Sequence, residues 1–244
     1  MYQPHEFALT EDGYRGPAPS WRPGTPSLWL VDTDRSAEAV RRLAPGVLDA
    51  SELARAQKLA FRPDRDCYRA AHVALRMLLG ALQGVAPQAV RLTREPCPTC
   101  DGPHGRPATG GGVHFSLSHT RGTALLAFAD APVGVDVEHV PEARIVAEIS
   151  GQLHPAEAGE LAALPEAERP AAFARVWTRK EAYLKGEGVG LAGGLHREHV
   201  GTGPRPLNPP GWDVTDVAVP AGYAAAVAVG TAGRAPAHGP DRRK

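Results

Sequence analysis

The run "PSLWLVDTD" predicts a first strand over Leu28 to Val31, with Asp34 or Ser36 capping a short helix, "SAEAVRRLA". Ser51 is placed to cap a second helix, "ELARAQKLAF". Pro63 starts a third that runs to Gly84, with Val73, Leu75, Met77, Leu78 and Leu82 on a core-facing side. Val113, Phe115 and Leu117 then alternate with polar partners, as in a half-buried strand. "HTRG" follows as a turn, "TALLAFA" pairs back as a hairpin, and "VGVDVE" forms another strand. His154 and Pro155 open the helix "AEAGELAAL". Phe173, Val176, Trp177 and Leu184 mark one face of a longer helix ending at Gly186. "WDVTDVAV", the turn "PAG" and "YAAAVAVG" close the chain's patterned part with a hairpin. Helices plus antiparallel hairpins in both halves give an α+β protein of two similar lobes. The boundaries expected are a loose segment over 1–27, an N-terminal lobe over 28–131, a C-terminal lobe over 132–230 and a flexible tail over 231–244. No short-period repeat is visible.

Composition narrows the class. Of 244 residues, 43% are hydrophobic and 22% charged, as in soluble globular proteins. Twenty-seven basic side chains balance 27 acidic ones, so nucleic acid is not expected as a partner and any anion must be held by local basic clusters. No apolar run approaches the roughly 20 residues of a membrane span. The start, "MYQPHEFALTEDGYRG", is acidic and has no apolar signal core, so a cytoplasmic location is expected. Three cysteines are too few for a disulfide framework.

Two stretches carry candidate chemistry. In "VGVDVE" the valines point one way along a strand, while Gly134, Asp136 and Glu138 point the other. Two strand steps set the carboxylates roughly 7 Å apart at their bases, close enough to converge on a hard cation such as Mg2+. Gly134 would leave room for a ligand at the backbone. Spacing alone nevertheless favours a solvated acidic face. In "FARVWTRKEAYLKGEGVGL", Glu181 and Lys185 stand at i and i+4, which on its own describes a surface ion pair. "CPTCDGPH" offers Cys97, Cys100 and His104 as half of a zinc site, but no second pair completes it, and the loop is read as leading into Arg106. His154, His196 and His199 read as exposed.

Taken together, "VGVDVE" and, about forty residues on, "WTRKEAYLK" resemble the paired signature of the 4'-phosphopantetheinyl transferases. The likeness is to the larger, two-lobed type that activates surfactin synthetase, and it runs from about Ser51 to Leu191. "HGRPATGGGVHFSLSH" and "HFSLSHTRGTALLAFADAPVGVDVEHV" resemble that family's basic loop, hairpin and metal strand. "AFRPDRDCYRAAHVALRMLL" is similar, more loosely, to its CoA-contacting helix.

The resemblance implies two lobes related by pseudo-two-fold symmetry. It implies transfer of 4'-phosphopantetheine from coenzyme A to a carrier-protein serine, releasing adenosine 3',5'-bisphosphate. By the same resemblance, Asp136, Glu138 and Glu181 bind Mg2+, with Glu181 the candidate base. Lys185, Ser118 and His119 contact CoA phosphates, Arg106 lies near the 3'-phosphate, Arg69 and Arg62 near the nucleotide, and Trp177 packs under the site. Lys180 is added as a local cation, and for it and Arg62 a solvated surface charge stands as the alternative. Arg55 and Lys58 match none of the family's basic contacts. Two alternatives stand beside it: a Mg-dependent nucleotide pyrophosphate hydrolase, and a non-catalytic carrier-binding module, against which the intact set Asp136, Glu138, Glu181 and Lys185 argues. The partners expected are an acyl or peptidyl carrier protein and CoA, with the enzyme a monomer.

Overall fold

The computed structural model describes residues 1–103, 105–190 and 194–231. In chain order, the strands are β1 (His5–Glu6), β2 (Ser27–Asp32), β3 (Leu92–Arg94), β4 (Pro107–Thr109), β5 (His114–Thr120), β6 (Thr123–Ala129), β7 (Val133–His139), β8 (Trp212–Asp216) and β9 (Tyr223–Gly230). The helices are α1 (Ala37–Val47), α2 (Ala50–Gln57), α3 (Arg62–Gln83), α4 (Ala143–Ile149), α5 (Pro155–Ala163) and α6 (Arg169–Glu187). The fold is mixed α and β. One sheet has the order β1-β2-β6-β5, another β7-β9-β8, and β3 pairs with β4 alone. All pairings are antiparallel except β1 with β2.

The two long helices end where the chain can reverse. Gly84 after α3 and Gly188 after α6 both take the left-handed conformation that a side chain would oppose. The apolar face of α3 packs with Trp29, Val31, Phe115, Leu126 and Phe128 into one core. A second core joins the sheets: Val133, Val135 and Val137 of β7 pack with Leu28, Leu125 and Ala127, and with Val227 of β9. Buried charge adds specific ties. Arg76 of α3 binds Glu52 and Asp49, each at 2.6 Å, and donates to the Val90 carbonyl at 3.0 Å. Arg179 of α6 grips Asp216 of β8 with two bonds of 2.7 Å.

Several sequence expectations change. The segment 1–27 is not loose: β1 adds to the sheet, Phe7 is buried, and the Tyr2 amide donates to the Asp216 carbonyl at 3.0 Å. Ser36 occupies the cap position of α1 without capping, because its hydroxyl donates to the Asp32 carbonyl. Asp49, not Ser51, caps α2, since Glu52 stands at the third helical position and completes a reciprocal capping box. α2 stops at Gln57. β5 is not half-exposed: Ser116 and Ser118 on its polar side are buried. They meet β7 rather than water, with the Val135 N–H donating to Ser116 Oγ at 3.1 Å. Tail residues 232–244 lie outside the described residues.

Candidate active site

The site forms where β5, β7 and α6 meet. The alternation of β7 sends its valines into the inter-sheet core and turns Gly134 and Asp136 toward α6. A Cβ on Gly134 would fall within 3.0 Å of the Ala182 carbonyl oxygen and the Gly186 amide nitrogen. The space beside Gly134 is therefore filled by helix backbone, not reserved for a ligand. This close approach brings Lys185, on the last turn of α6, against Asp136. The Lys185 ammonium donates to Asp136 Oδ1 at 2.6 Å and to Ser118 Oγ at 2.9 Å, and the Ser118 hydroxyl donates to Asp136 Oδ1 at 2.7 Å.

Asp136 is 1% exposed, and its second oxygen, Oδ2, is buried without a hydrogen-bond partner. Burial raises the Glu138 carboxyl to about 7, and the neighbouring charges of Asp136 and Glu181 add to the rise. Lys185 and a hydrogen bond from Thr120 oppose it. Glu181 is raised in the same way, by burial first and then by Asp136. Asp136, Glu138 and Glu181 thus repel one another across one small region, with Lys185 as the counter-charge. Among the described residues, no three His, Cys, Asp or Glu side chains are gathered tightly enough to enclose an ion as they stand.

Cavities open on both sides of this junction. One, of about 230 Å³, is lined by Arg94, Arg106, Ser116, Lys185, Gly188 and Gly190. The other, of about 450 Å³, is lined by Asp64, Cys67, His119, Arg121 and His139. Arg106 is held in place: Glu95 Oε2 accepts from its Nε at 3.0 Å and Nη2 at 2.6 Å, and the Gly186 carbonyl accepts from Nη1 at 2.8 Å. The His119 ring meets Tyr68 edge-on at 5.9 Å and His72 at 6.4 Å. Burial, then Lys185, pulls His119 below the usual histidine range.

A family model described as the 4'-phosphopantetheinyl transferase superfamily matches residues 132–210, a span that holds Asp136, Glu138, Glu181 and Lys185. Over that span the chain is similar to this superfamily. It is 29% identical over 232 residues to the 4'-phosphopantetheinyl transferase HetI of Nostoc sp., covering 86% of this chain and 93% of HetI. It is 28% identical over 181 residues to the putative 4'-phosphopantetheinyl transferase slr0495 of Synechocystis sp., covering 70% and 68% of the two. Over 81 residues it is 32% identical to the 4'-phosphopantetheinyl transferase Sfp of Bacillus subtilis, covering 33% and 35%.

Other residues singled out in the sequence sit elsewhere. Lys180 is a correction: it is 2% exposed, pairs with Glu157 at 2.8 Å and donates to the Glu198 carbonyl, so it is neither a solvated charge nor a phosphate contact. Arg62 is exposed and pairs with Asp66 at 3.4 Å, while Arg69 meets the same carboxylate at 3.8 Å. Trp177 stacks on Phe173 at 5.5 Å, in the core beneath α4 and α5. His154 and His199 are not bland: their rings stack at 5.3 Å, and His199 binds Glu160 at 2.7 Å. His196 is exposed. Cys97 and Cys100 are described, whereas His104 lies outside the described residues. Sequence reasoning missed Glu95, which fixes Arg106, and Tyr68 and His72, which frame His119. Tyr68 and His72 were legible as an i, i+4 pair on α3, but what they face was not.

Proposed function

We propose that the protein transfers the 4'-phosphopantetheine arm of coenzyme A to a serine of an acyl or peptidyl carrier protein, releasing adenosine 3',5'-bisphosphate. The observation that carries this is the Ser118–Asp136–Lys185 junction, flanked by Glu138 and Glu181, inside the span that matches the superfamily model.

The chemistry of the donor set suits a hard divalent cation: three carboxylates that act on one another electrostatically, one with a buried and unpartnered oxygen. Asp136, Glu138 and Glu181 would hold Mg2+, which when bound supplies charge neutralisation on the pyrophosphate. Lys185 is 31% exposed and can turn its ammonium from Asp136 toward a phosphate, offsetting charge on the leaving group. Ser118, whose hydroxyl is held by Asp136 until Lys185 turns, and His119 lie beside it as further phosphate contacts. Arg106, with Glu95 taking one side of its fork, keeps N–H groups for a phosphate at the smaller cavity. Arg62, at the start of α3, and Arg69, two turns on, add positive charge for the nucleotide. Glu181, made more basic by burial, takes the proton of the attacking serine. Most of the catalytic demand in such a transfer is positioning and charge balance, which this junction of three elements supplies.

The proposal extends to architecture. Each of the two larger sheets is backed by one long helix, α3 or α6, that ends on a left-handed glycine. This supports two lobes related by a pseudo-two-fold axis, dividing near residues 131 and 132. A monomer is proposed. No helix among the described residues is long and apolar enough to cross a membrane, and a cytoplasmic enzyme is proposed.

The test is to mix the protein with CoA, Mg2+ and an apo carrier protein. A carrier mass gain of one phosphopantetheine arm is expected. CoA breakdown with an unmodified carrier would overturn the transferase assignment in favour of hydrolysis.

A further inference from the structure

The loop between β3 and β4 carries two thiols that the transfer does not use. Cys97 is buried, Cys100 is exposed, and neither is in a disulfide. The turn between them is tightly closed. The Cys97 N–H donates to the Gly102 carbonyl at 2.8 Å, and the Asp101 N–H donates back to the Cys97 carbonyl at 2.8 Å. Asp101 takes φ 56°, which turns the chain back at this point. Cys97 and Cys100 flank this turn three positions apart, one buried and one exposed. The backbone N–H groups of Thr99 and then Cys100, with the Cys100 thiol adding to them, hold Cys97 below the usual thiol range. Cys67 is the opposite case. Its thiol donates to the Thr120 carbonyl at 3.1 Å, and burial pushes it up to about 11.

We propose that Cys97 and Cys100 are a redox-active pair that forms a reversible disulfide with a small-molecule disulfide as oxidant, and that the bridge acts on Arg106. The exposed Cys100 thiolate attacks one sulfur of the oxidant, forming a mixed disulfide and releasing one small thiolate. The Cys97 thiolate then attacks the Cys100 sulfur, forming the internal bond and expelling the second small thiolate. Two electrons pass to the oxidant, and the two protons from the cysteines end on its two thiols.

The route to Arg106 is short. The two arms of the loop touch through backbone: the Gly105 N–H donates to the Glu95 carbonyl at 3.1 Å, and a Cβ on Gly105 would fall within 3.0 Å of the Glu95 and Pro96 carbonyls. Glu95 in turn holds the Arg106 guanidinium at the cavity shared with Lys185. Bridging a turn two residues from Glu95 changes how that carboxylate is presented.

The bridge stands independently of the proposed function; its effect on CoA rests on that function. The reduced protein is incubated with glutathione disulfide, alkylated, and mapped by mass spectrometry. The expected peptide is lighter by two hydrogens across Cys97 and Cys100, with Cys67 still a thiol. Cys97→Ser should trap glutathione on Cys100, and Cys100→Ser should react with nothing. Calorimetry should show the Kd for CoA changed by about fivefold or more between bridged and reduced protein, the low end for coupled sites. Unreacted thiols, a lasting glutathione adduct on the unmutated chain, or one zinc per chain guarding both thiols overturns the redox pair. An unchanged Kd overturns the link to Arg106. Absence of any CoA binding would count against the transferase assignment while leaving the bridge readable.

Discussion

Gly134→Ala should part strand β7 from helix α6 and dismantle the site. The added Cβ would lie 3.0 Å from Gly186 Cα and closer still to the Ala182 carbonyl oxygen and the Gly186 amide nitrogen. All three are backbone atoms, so no rotamer change relieves the clash. Restoring ordinary contact requires the two backbones to separate by about an ångström. Gly134 does not have a left-handed φ, so the effect is steric rather than conformational. Overpacking of this kind costs about 3 kcal/mol, the upper part of its usual range, because neither backbone can yield alone. For a chain of this size the melting temperature should fall by about 6–12 °C. The same retreat lengthens the 2.6 Å bond between Lys185 and Asp136, and an ångström of misplacement costs about a hundredfold in rate. Differential scanning calorimetry and the carrier mass-shift assay read the two effects. Gly159→Ala is the control: nothing lies within 4 Å of its Cβ on α5, and a gain of about 0.5–1 kcal/mol is expected. If Gly134→Ala melts with the unmutated protein and transfers at its rate, the tight contact of strand and helix is wrong.

Glu181→Gln should keep the fold and bind CoA but lose transfer, and a variant with unchanged turnover removes Glu181 as the base. With Glu138 raised to about 7, protons compete for the metal position, so Mg2+ affinity measured by calorimetry should fall about tenfold from pH 8 to pH 6; a flat profile refutes the shift. Without added Mg2+, Glu138 contributes the opposite trend to stability. The folded chain keeps a proton between the ordinary 4.5 and about 7 that the unfolded chain has lost, so denaturant midpoints should decline as pH rises through that window. Lys180→Met strands the fully buried Glu157 and should cost about 3–5 kcal/mol in urea unfolding, with Lys180→Met/Glu157→Gln recovering part of it; additive losses would deny the pairing.

The long elements were legible because their signals are local. α3 and α6 carry apolar periodicity; α3 stops at Gly84 as expected, while α6 runs past the expected Gly186 to Gly188, and the two hairpins announce themselves by alternation around short turns. Errors arose where a distant partner decided the outcome. Asp49 and Ser51 are both good caps by residue type. Asp49 prevails because Glu52 completes the box and Arg76, 27 residues away, takes its other oxygen. Lys180 looked functional by its place beside Glu181. Adjacent helix positions differ by about 100°, so the residue before a site-facing glutamate points elsewhere, here to Glu157 on α5. That correction could have been read from periodicity, although its partner could not.

The polar half of an alternating strand signals a polar neighbour, and water is only one such neighbour. On β5, Ser116 and Ser118 read as solvent-facing, and on β7 so did Asp136 and Glu138. In the fold the two polar stripes meet each other, through Ser116 to the Val135 amide and Ser118 to Asp136, 18 residues apart. Once Asp136 is buried to 1% exposure, its charge must be balanced, because a buried charge without a partner is costly. Lys185 answers that need from 49 residues away, and the small-residue contact at Gly134 and Gly186 is what lets α6 come close enough to deliver it. The apolar side of β7 thus fixes the burial, the burial demands a cation, and the glycines admit the helix that carries one. An unpartnered Oδ2 beside two further carboxylates leaves this balance incomplete with lysine alone, which is the physical ground for expecting a second, divalent charge at the same place.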